Sequence, residues 1–208
     1  MMPIAREGWV FISGPLALSA ILWGAGWHAV GAAALAVALM LAFFFRDPRR
    51  QVPEGEGLIL APADGTIVAV TRYPGDELQE EATQLSIFLS VLDVHVNRAP
   101  VATVVERVDY RPGSFRLAWK DVASAANEQN LIFLKTAGGR LLVKQIAGFL
   151  ARRIVCRVAP GQRLRTGERI GIILFGSRVD LILPASAKLS VKPGDRVKGG
   201  SSVVGVLS

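Results

Sequence analysis

The sequence predicts a mainly β protein preceded by an N-terminal hydrophobic helical hairpin. Three observations support this: an apolar stretch without Asp, Glu, Lys or Arg from Trp9 to Phe45, short β-rich runs separated by turn residues after Pro53, and two similar stretches near the C terminus. The 208 residues suffice for one domain with a real core and an appendage. We therefore divide the chain into a helical hairpin with its basic flank, residues 1–50, and a β-rich domain, residues 51–208.

The apolar stretch is too long for one membrane-spanning helix, which needs roughly 20 residues, and slightly short for two. It breaks at Gly24–Gly26 into Trp9–Trp23 and Trp27–Phe45, and the second piece could span a bilayer. Arg46, Arg49 and Arg50 follow at once, and basic residues in this position favour the cytoplasmic side. We expect a hairpin that dips into the membrane from its cytoplasmic face. A cleaved signal peptide is the alternative.

The composition restricts the partners of the protein. The 24 Lys and Arg residues against 17 Asp and Glu give a net charge of +7. These basic residues are dispersed, which argues against a nucleic-acid partner, whereas anionic membrane lipids suit the charge. A single cysteine, Cys156, and two histidines, His28 and His95, predict neither a disulfide nor a metal site.

The β-rich domain begins with "GLILAPADGTIVAV", which predicts two strands around a turn at Asp64-Gly65. "QLSIFLSVLDVHVNRAPV" is predicted to be one long strand closed by Pro100. Further strands are expected in "ATVVERVDYRPGSF", in "NLIFLKTAGGRLLVKQIAG" with a hairpin at Gly139, and in "RIVCRVAPG".

Two stretches near the C terminus, "VAPGQRLRTGERIGI" and "VKPGDRVKGGSSVVGV", align with each other. The Pro-Gly pair at Gly161 matches the pair at Gly194, and Gly167 matches Gly200. Pro-Gly supplies a tight turn, and the later glycine suits a positive φ. Two such units predict a compact barrel or sandwich with pseudo-symmetry, similar to biotinyl- and lipoyl-type hammerhead folds.

Between the two copies, "GIILFGSRVDLILP" interrupts a β-rich run with Gly176-Ser177. Glycine permits a strained backbone that would bring Ser177 Oγ onto the Gly176 carbonyl, and a serine attacks a carbonyl when a base removes its proton. By itself the pair is equally compatible with a turn or a bulge, and the G-x-S-x-G elbow of serine hydrolases is absent.

The stretch "GERIGIILFGSRVDLILP" resembles the processing site of phosphatidylserine decarboxylases of the short bacterial and archaeal type. The resemblance continues in order through "REGW", "FFFRDPRR", "APADGTIV", "LDVHVNRAPV", "YRPGSF", "NEQN" and "KQIAGFLARRIV". Each motif alone is modest, but the ordered set is specific and covers most of the chain.

The resemblance implies a self-cleaving proenzyme. Ser177 would attack the Gly176 carbonyl, giving a β chain of residues 1–176 and an interleaved α chain of residues 177–208 whose first residue becomes a pyruvoyl group. This covalent cofactor would react with the serine amine of phosphatidylserine, and loss of CO₂ would give phosphatidylethanolamine without a metal. The resemblance also implies a peripheral or monotopic protein on the cytoplasmic face of the inner membrane, and it permits a homodimer.

Two further residues acquire roles from the resemblance. If "LSVLDVHVN" is a regular strand, Asp93, His95 and Asn97 share one face. The resemblance makes His95 the general base in cleavage, the proton donor in decarboxylation, or both, although a histidine satisfied in a sheet is the alternative. It makes Asp64 the carboxylate that orients a catalytic histidine, although a turn residue is the alternative there.

The sequence also departs from longer family members, which carry two histidines three residues apart. Arg98 occupies the second position, so His95 serves both steps or Arg98 contributes differently, for example by holding the substrate carboxylate or phosphate. The segment "YRPGSFRLAWKDVASAANEQN" is expected to form the substrate loop, with Phe115 and Trp119 able to contact lipid. Packing of these side chains on the domain is the alternative.

Two other functions compete with a lipid decarboxylase. A non-enzymatic, membrane-anchored adaptor or carrier on a lipoyl-like hammerhead would explain the repeat and the apolar segment. It requires neither Gly176-Ser177 nor His95, and the sequence offers no modifiable lysine at a hairpin tip. A pyruvoyl enzyme acting on a soluble amino acid would leave the apolar segment unexplained.

Overall fold

The computed structural model describes residues 3–73, 77–78, 81–113, 127–148, 153–174 and 177–207. These residues are 43% strand and 20% helix, which confirms the prediction of a mainly β protein. The chain divides into two compact units, Met1–Arg49 and Arg50–Ser208.

The first unit contains a short 3₁₀ helix, Arg6–Gly8, and two α-helices, α1 (Trp9–Gly24) and α2 (His28–Phe44). In the described part of the chain, no helix is both long and apolar enough to cross a membrane. This includes α2, which covers most of the segment Trp27–Phe45 that the sequence suggested could span a bilayer. Much of the apolar surface is nevertheless exposed, with Val10 80% and Trp27 64% accessible.

The two helices pack against each other through small and polar groups. Ser19 Oγ in α1 donates a hydrogen bond to the carbonyl oxygen of Gly31 in α2 at 2.8 Å. A side chain at Gly31 would collide with the ring of Trp23, so glycine permits the close approach of the two helices. The chain turns between the helices at Gly26, where φ is +83°.

The second unit contains fourteen strands in its described residues, and every strand pair in it is antiparallel. The strands are β1 (Leu58–Leu60), β2 (Gly65–Arg72), β3 (Ala82–Leu89), β4 (Val96–Arg98), β5 (Thr103–Arg111), β6 (Gln129–Thr136), β7 (Gly139–Ala147), β8 (Ile154–Cys156), β9 (Arg163–Leu164), β10 (Arg169–Ile173), β11 (Ser177–Pro184), β12 (Lys188–Leu189), β13 (Arg196–Val197) and β14 (Val203–Val206).

The strands form one large sheet and two small ones. The large sheet has the order β13-β2-β3-β11-β7-β6-β5-β9, and the small sheets have the orders β1-β14-β12 and β4-β10-β8. The large sheet curls into a half-barrel. Alternate residues of its central strand β11, namely Val179, Leu181 and Leu183, point into the main hydrophobic core. Burying each such side chain contributes roughly 1.5–3 kcal/mol.

The two similar stretches supply β9 with β10 and β13 with β14. Their four turn glycines, Gly161, Gly167, Gly194 and Gly200, all have positive φ, at 84°, 76°, 96° and 72°. The turns of the two copies meet, since a Cβ on Gly200 would lie 3.5 Å from Gly167 Cα. The hammerhead-like pseudo-symmetry itself stays a prediction.

The segment predicted to be one long strand is two strands in different sheets. β3 ends at Leu89 and β4 begins at Val96. The Asp93 carboxylate accepts hydrogen bonds from the Ser90 backbone N–H at 2.9 Å and from Ser90 Oγ at 2.8 Å. The expectation of a regular strand is therefore wrong here, because this side chain offers the backbone a turn that competes with the sheet ladder.

The interrupted run around Gly176-Ser177 also belongs to two sheets. β10 lies in the small sheet beside β4, whereas β11 lies at the centre of the large sheet. Between them, the Leu174 N–H donates to the Arg153 carbonyl oxygen at 3.1 Å. The predicted cleavage site therefore coincides with the passage of the chain from one sheet to another. Gly176 itself lies outside the described residues.

Candidate active site

Ser177 is the first residue of β11, and its side chain is fully buried. It lies opposite Leu89 of β3 and Ala147 of β7, both of which are core residues. Its Oγ has no hydrogen-bond partner among the described residues. Leaving a buried polar group unsatisfied costs about 1–3 kcal/mol, and such groups are rare in folded proteins. The stability of the fold therefore does not explain why a hydroxyl is present at this position.

His95 is fully buried and directly precedes β4. Its Nδ1 lies 2.9 Å from the Asp93 carbonyl oxygen. Because a carbonyl only accepts hydrogen bonds, Nδ1 carries the proton, and the lone pair of the neutral ring lies on Nε2. The His95 carbonyl accepts a hydrogen bond from the N–H of Ile173, the last residue of β10, at 3.3 Å. His95 is thus fixed beside the strand that leads to Ser177.

Asp93 holds the backbone on which His95 depends. Besides its two bonds to Ser90, its carboxylate accepts a hydrogen bond from Arg196 Nη2 at 2.6 Å. This role was missed in the sequence, where Asp93 was placed in a strand. The available signal was the Ser-x-x-Asp spacing of residues 90–93, since short polar side chains at this spacing favour turns.

Asp64 lies at the turn between β1 and β2, as the sequence predicted. Arg50 Nη2 donates to its two carboxylate oxygens at 2.8 and 2.9 Å, and the Gly199 N–H donates at 2.8 Å. The Arg50–Asp64 ion pair is nearly buried, with 8% and 13% of the side chains exposed. In this structure the partner of His95 Nδ1 is the Asp93 carbonyl, so the role of Asp64 in orienting a histidine stays a prediction.

Arg98 lies on the face of β4 opposite to Asn97 and is 9% exposed. Its Nη1 donates to the Gly167 carbonyl oxygen at 3.0 Å, and its side chain packs against Gly200, where the two similar turns meet. Its role in substrate binding stays a prediction. Phe115 and Trp119, expected to contact lipid, lie outside the described residues.

A chain of buried side-chain amides crosses from the large sheet to the small one. Asn130 Nδ2 donates to Gln145 Oε1 at 2.8 Å, and Gln145 Nε2 donates to Asn97 Oδ1 at 2.8 Å. Asn97 Nδ2 has no hydrogen-bond partner among the described residues. Sequence analysis missed this network because Asn130 and Gln145 stand in apolar strand runs, and only the sheet pairing brings them to Asn97.

Glycine at position 171 makes room for this crossing. Gly171 of β10 pairs with Asn97 of β4, and a Cβ on Gly171 would lie 2.9 Å from Gln145 Nε2. A larger residue would therefore collide first with the Val155 backbone carbonyl of the neighbouring strand β8, and also with the amide of Gln145.

The outer face of β11 carries charged side chains that are paired. Arg178 Nε donates to Asp180 Oδ1 at 2.6 Å, and Arg178 Nη2 donates to Ser86 Oγ at 2.7 Å. The side chains of this ion pair are only 2% and 1% exposed. Since side chains alternate along a strand, this pair lies on the face of the sheet opposite to Ser177.

A second polar cluster extends this outer face. Lys144 of β7 stands opposite Asp180 in the ladder, and its Nζ lies 3.7 Å from Glu77 Oε1. Burial lowers the pKa of Lys144, against the opposing charges of Glu77 and Asp180. Burial would raise the pKa of Glu77, but the hydrogen bond from Tyr73 and the charge of Lys144 outweigh it, so that pKa is lowered. Burial, followed by the bond to Glu77, raises the pKa of Tyr73.

Comparison with known proteins relates this arrangement to one family. Residues 37–205 match the family model described as phosphatidylserine decarboxylase. Proteins named phosphatidylserine decarboxylase proenzyme are 46% identical in Symbiobacterium thermophilum, over 98% of this chain and 95% of that protein, and 41% identical in Geotalea daltonii, over 100% and 98%. A protein of the same name from Geobacter sulfurreducens is 43% identical over 99% and 97%. With a family match over most of its length and relatives this similar from end to end, the chain belongs to the phosphatidylserine decarboxylase family of enzymes.

Proposed function

We propose that this chain decarboxylates phosphatidylserine to phosphatidylethanolamine by means of a pyruvoyl group that it makes from its own Ser177. Family membership supports the reaction, and the word proenzyme in the names of its relatives supports self-processing. One observation carries the assignment to Ser177: its fully buried Oγ lacks a partner among the described residues, at the passage between two sheets. A group made from this residue fits such a position.

In the proposed cleavage, Ser177 Oγ attacks the carbonyl carbon of residue 176, and the peptide C–N bond gives way to an ester and a free amine. His95 Nε2 takes the hydroxyl proton, because its lone pair is fixed by the bond from Nδ1 to Asp93. Loss of the Ser177 Cα proton then breaks the Cβ–Oγ bond. This elimination leaves a carboxylate on residue 176, and water releases ammonia from residue 177.

The pyruvoyl group supplies an electron sink for the bond that releases CO₂. Around it, the residues opposite Ser177 exclude water, since Leu89 and Ala147 are both fully buried. We assign the return of a proton to the product to His95. Arg98 as a ligand of the substrate carboxylate or phosphate, Asp64 as an orienting carboxylate, and Phe115 and Trp119 as lipid contacts are further parts of this proposal.

We place the reaction at the cytoplasmic face of the inner membrane, with the chain as a peripheral or monotopic protein. The exposed apolar side chains of α1 and α2 support this, as does the net charge of +7, which favours anionic lipids. A hairpin dipping into the interface, a hammerhead-like pseudo-symmetry and a homodimer belong to the same proposal.

Intact-mass measurement of the purified protein tests the cleavage. We expect two chains divided before residue 177, the smaller without a free amino terminus, and a single uncut chain for Ser177→Ala. His95→Asn retains an amide to donate to the Asp93 carbonyl but has no base, so cleavage should slow by about 10²–10⁴-fold. A wild-type protein that stays uncut would refute the proposal.

Release of CO₂ identifies the substrate. Cleaved enzyme should release CO₂ from phosphatidylserine vesicles and not from free amino acids. Release from a free amino acid alone would favour a pyruvoyl enzyme for soluble substrates. No release from a cleaved protein with either substrate would contradict the lipid decarboxylase.

A further inference from the structure

We propose that Asn97 Nδ2 stabilises the negative charge that develops on the carbonyl oxygen of residue 176 when Ser177 attacks it. This inference rests on the proposed self-cleavage and assigns a new catalytic residue to that step. It begins from two buried polar groups, Ser177 Oγ and Asn97 Nδ2, which both lack a partner among the described residues.

Asn97 is fully buried, and only one end of its amide is satisfied. Oδ1 accepts the hydrogen bond from Gln145, whereas the N–H donors of Nδ2 are unfilled by any described group. An unfilled buried donor costs about 1–3 kcal/mol. A donor aimed at the position where a carbonyl oxygen becomes negatively charged during the reaction accounts for this cost, because catalytic groups must be aimed before the charge forms.

The hydrogen bonds of the amide chain leave Asn97 with a donor. Asn130 Nδ2 donates to Gln145 Oε1, Gln145 Nε2 donates to Asn97 Oδ1, and Asn97 Nδ2 is the end of the chain. Turning the Asn97 amide would bring two donors together. Gln145 and Asn130 are therefore positioning residues that act through Asn97.

The strand register brings Asn97 near the nucleophile. Ser177 lies opposite Ala147 in the β11–β7 ladder, and Gln145 points to the same face two residues earlier. The residues of such a diagonal pair are about 7–8 Å apart, and their Cβ atoms are somewhat closer. Asn97, bonded to Gln145, pairs at the same time with Gly171 of β10, the strand that leads to residue 176. Asn97 therefore contacts both β10, the strand that precedes residue 176 in the chain, and Gln145 of β7, the strand that pairs with β11 and Ser177.

The surroundings favour a neutral donor for this task. Attack turns the carbonyl oxygen into an anion inside a core where the opposing residues Leu89 and Ala147 are fully buried. The cation adjacent in sequence, Arg178, points to the other face of the sheet and bonds to Asp180 and Ser86. In a site that is shielded from bulk solvent, removing one such donor typically slows a reaction by about 10²–10³-fold.

The test compares the rates of self-cleavage of chains made by cell-free translation, followed by intact mass at pH 8. Asn97→Asp keeps the shape and the acceptor for Gln145 but replaces the donor, so cleavage should be about 10²–10³-fold slower. Gln145→Glu leaves Asn97 in place but accepts from Asn97 Nδ2, which turns the amide; it should slow cleavage similarly. Gln84→Glu, the same change of amide to acid on the outer face, should cleave at the wild-type rate.

The outcomes separate this inference from the proposed function. If the wild-type chain does not cleave, the proposed function fails. If the wild-type chain cleaves and both Asn97→Asp and Gln145→Glu match its rate, the inference alone is overturned. A cooperative thermal transition shows that each variant is folded, and if Asn97→Asp lacks one, Gln145→Glu decides. A purely structural role would lower the melting temperature without slowing cleavage of the folded chain.

Discussion

The two faces of β11 treat polar side chains in opposite ways. On the outer face, the buried guanidinium of Arg178 is held by Asp180 and Ser86 within 2.7 Å. On the inner face, one residue earlier, the hydroxyl of Ser177 is equally buried and has no partner among the described residues. Both faces are therefore shielded from water, and burial alone does not distinguish the reactive residue from the structural ones.

The difference lies in hydrogen bonding. Removing one partner of a buried ion pair is strongly destabilising, because it leaves a buried charge uncompensated. A buried hydroxyl without a partner costs free energy, so its presence needs another reason, and the proposed self-cleavage supplies one. We therefore expect substitutions of Arg178, Asp180 and Ser86 to change stability, and substitutions of Ser177 to change cleavage.

The largest effect on stability is expected from Asp180→Ala. Removing this carboxylate leaves the buried Arg178 charge without its ion-pair partner, which typically costs about 3–5 kcal/mol. Urea unfolding measures it best in the His95→Asn background, where the chain is expected to remain largely uncut. Asp180→Asn, which keeps an acceptor oxygen, should lose less. A loss below about 1 kcal/mol for Asp180→Ala would break the contrast between the two faces.

A matched pair of serines gives the next test. Ser86→Ala removes the acceptor for Arg178 and Gln84, so we expect a loss of about 1–3 kcal/mol. Ser177→Ala removes a hydroxyl that has no described partner, so stability should change by less than about 1 kcal/mol and can rise. Urea unfolding of both variants in the His95→Asn background compares them directly. Equal losses would mean that Ser177 is a structural residue like Ser86.

Hydrophobic patterning predicted the mainly β class because strand runs such as "NLIFLKT" and "GRLLVKQIA" are long and apolar. It failed at the segment from Gln84 to Arg98. Apolar residues continue through Val91 and Leu92, and only the side chain of Asp93, bonded to Ser90, turns the chain out of the sheet. A local hydrogen bond decided this element, and periodicity does not report such bonds.

The candidate site, too, could be predicted from the sequence only in part. Ser177 and His95 could be named from the sequence, because their local motifs resemble those of a family. The partner of His95 Nδ1 could not, because it is a backbone carbonyl that any residue at position 93 would carry. Nor could the bond from Gln145 to Asn97, which joins residues 48 positions apart and depends on how two sheets pack.

The smallest effect is expected from Glu77, at the edge of the outer cluster. Its lowered pKa means that the folded chain binds fewer protons than the unfolded chain near the ordinary value of about 4.3. The stability it contributes is therefore complete above that value and lost as the pH falls through the lowered one. Glu77→Gln still accepts from Tyr73 but does not titrate, so urea midpoints between pH 3 and 7 should show the advantage of the parent protein shrinking on acidification. Tyr73→Phe, which removes a bond that lowers this pKa, should weaken the same dependence. A stability difference between parent and Glu77→Gln that is independent of pH would show that this carboxylate is not held by the cluster.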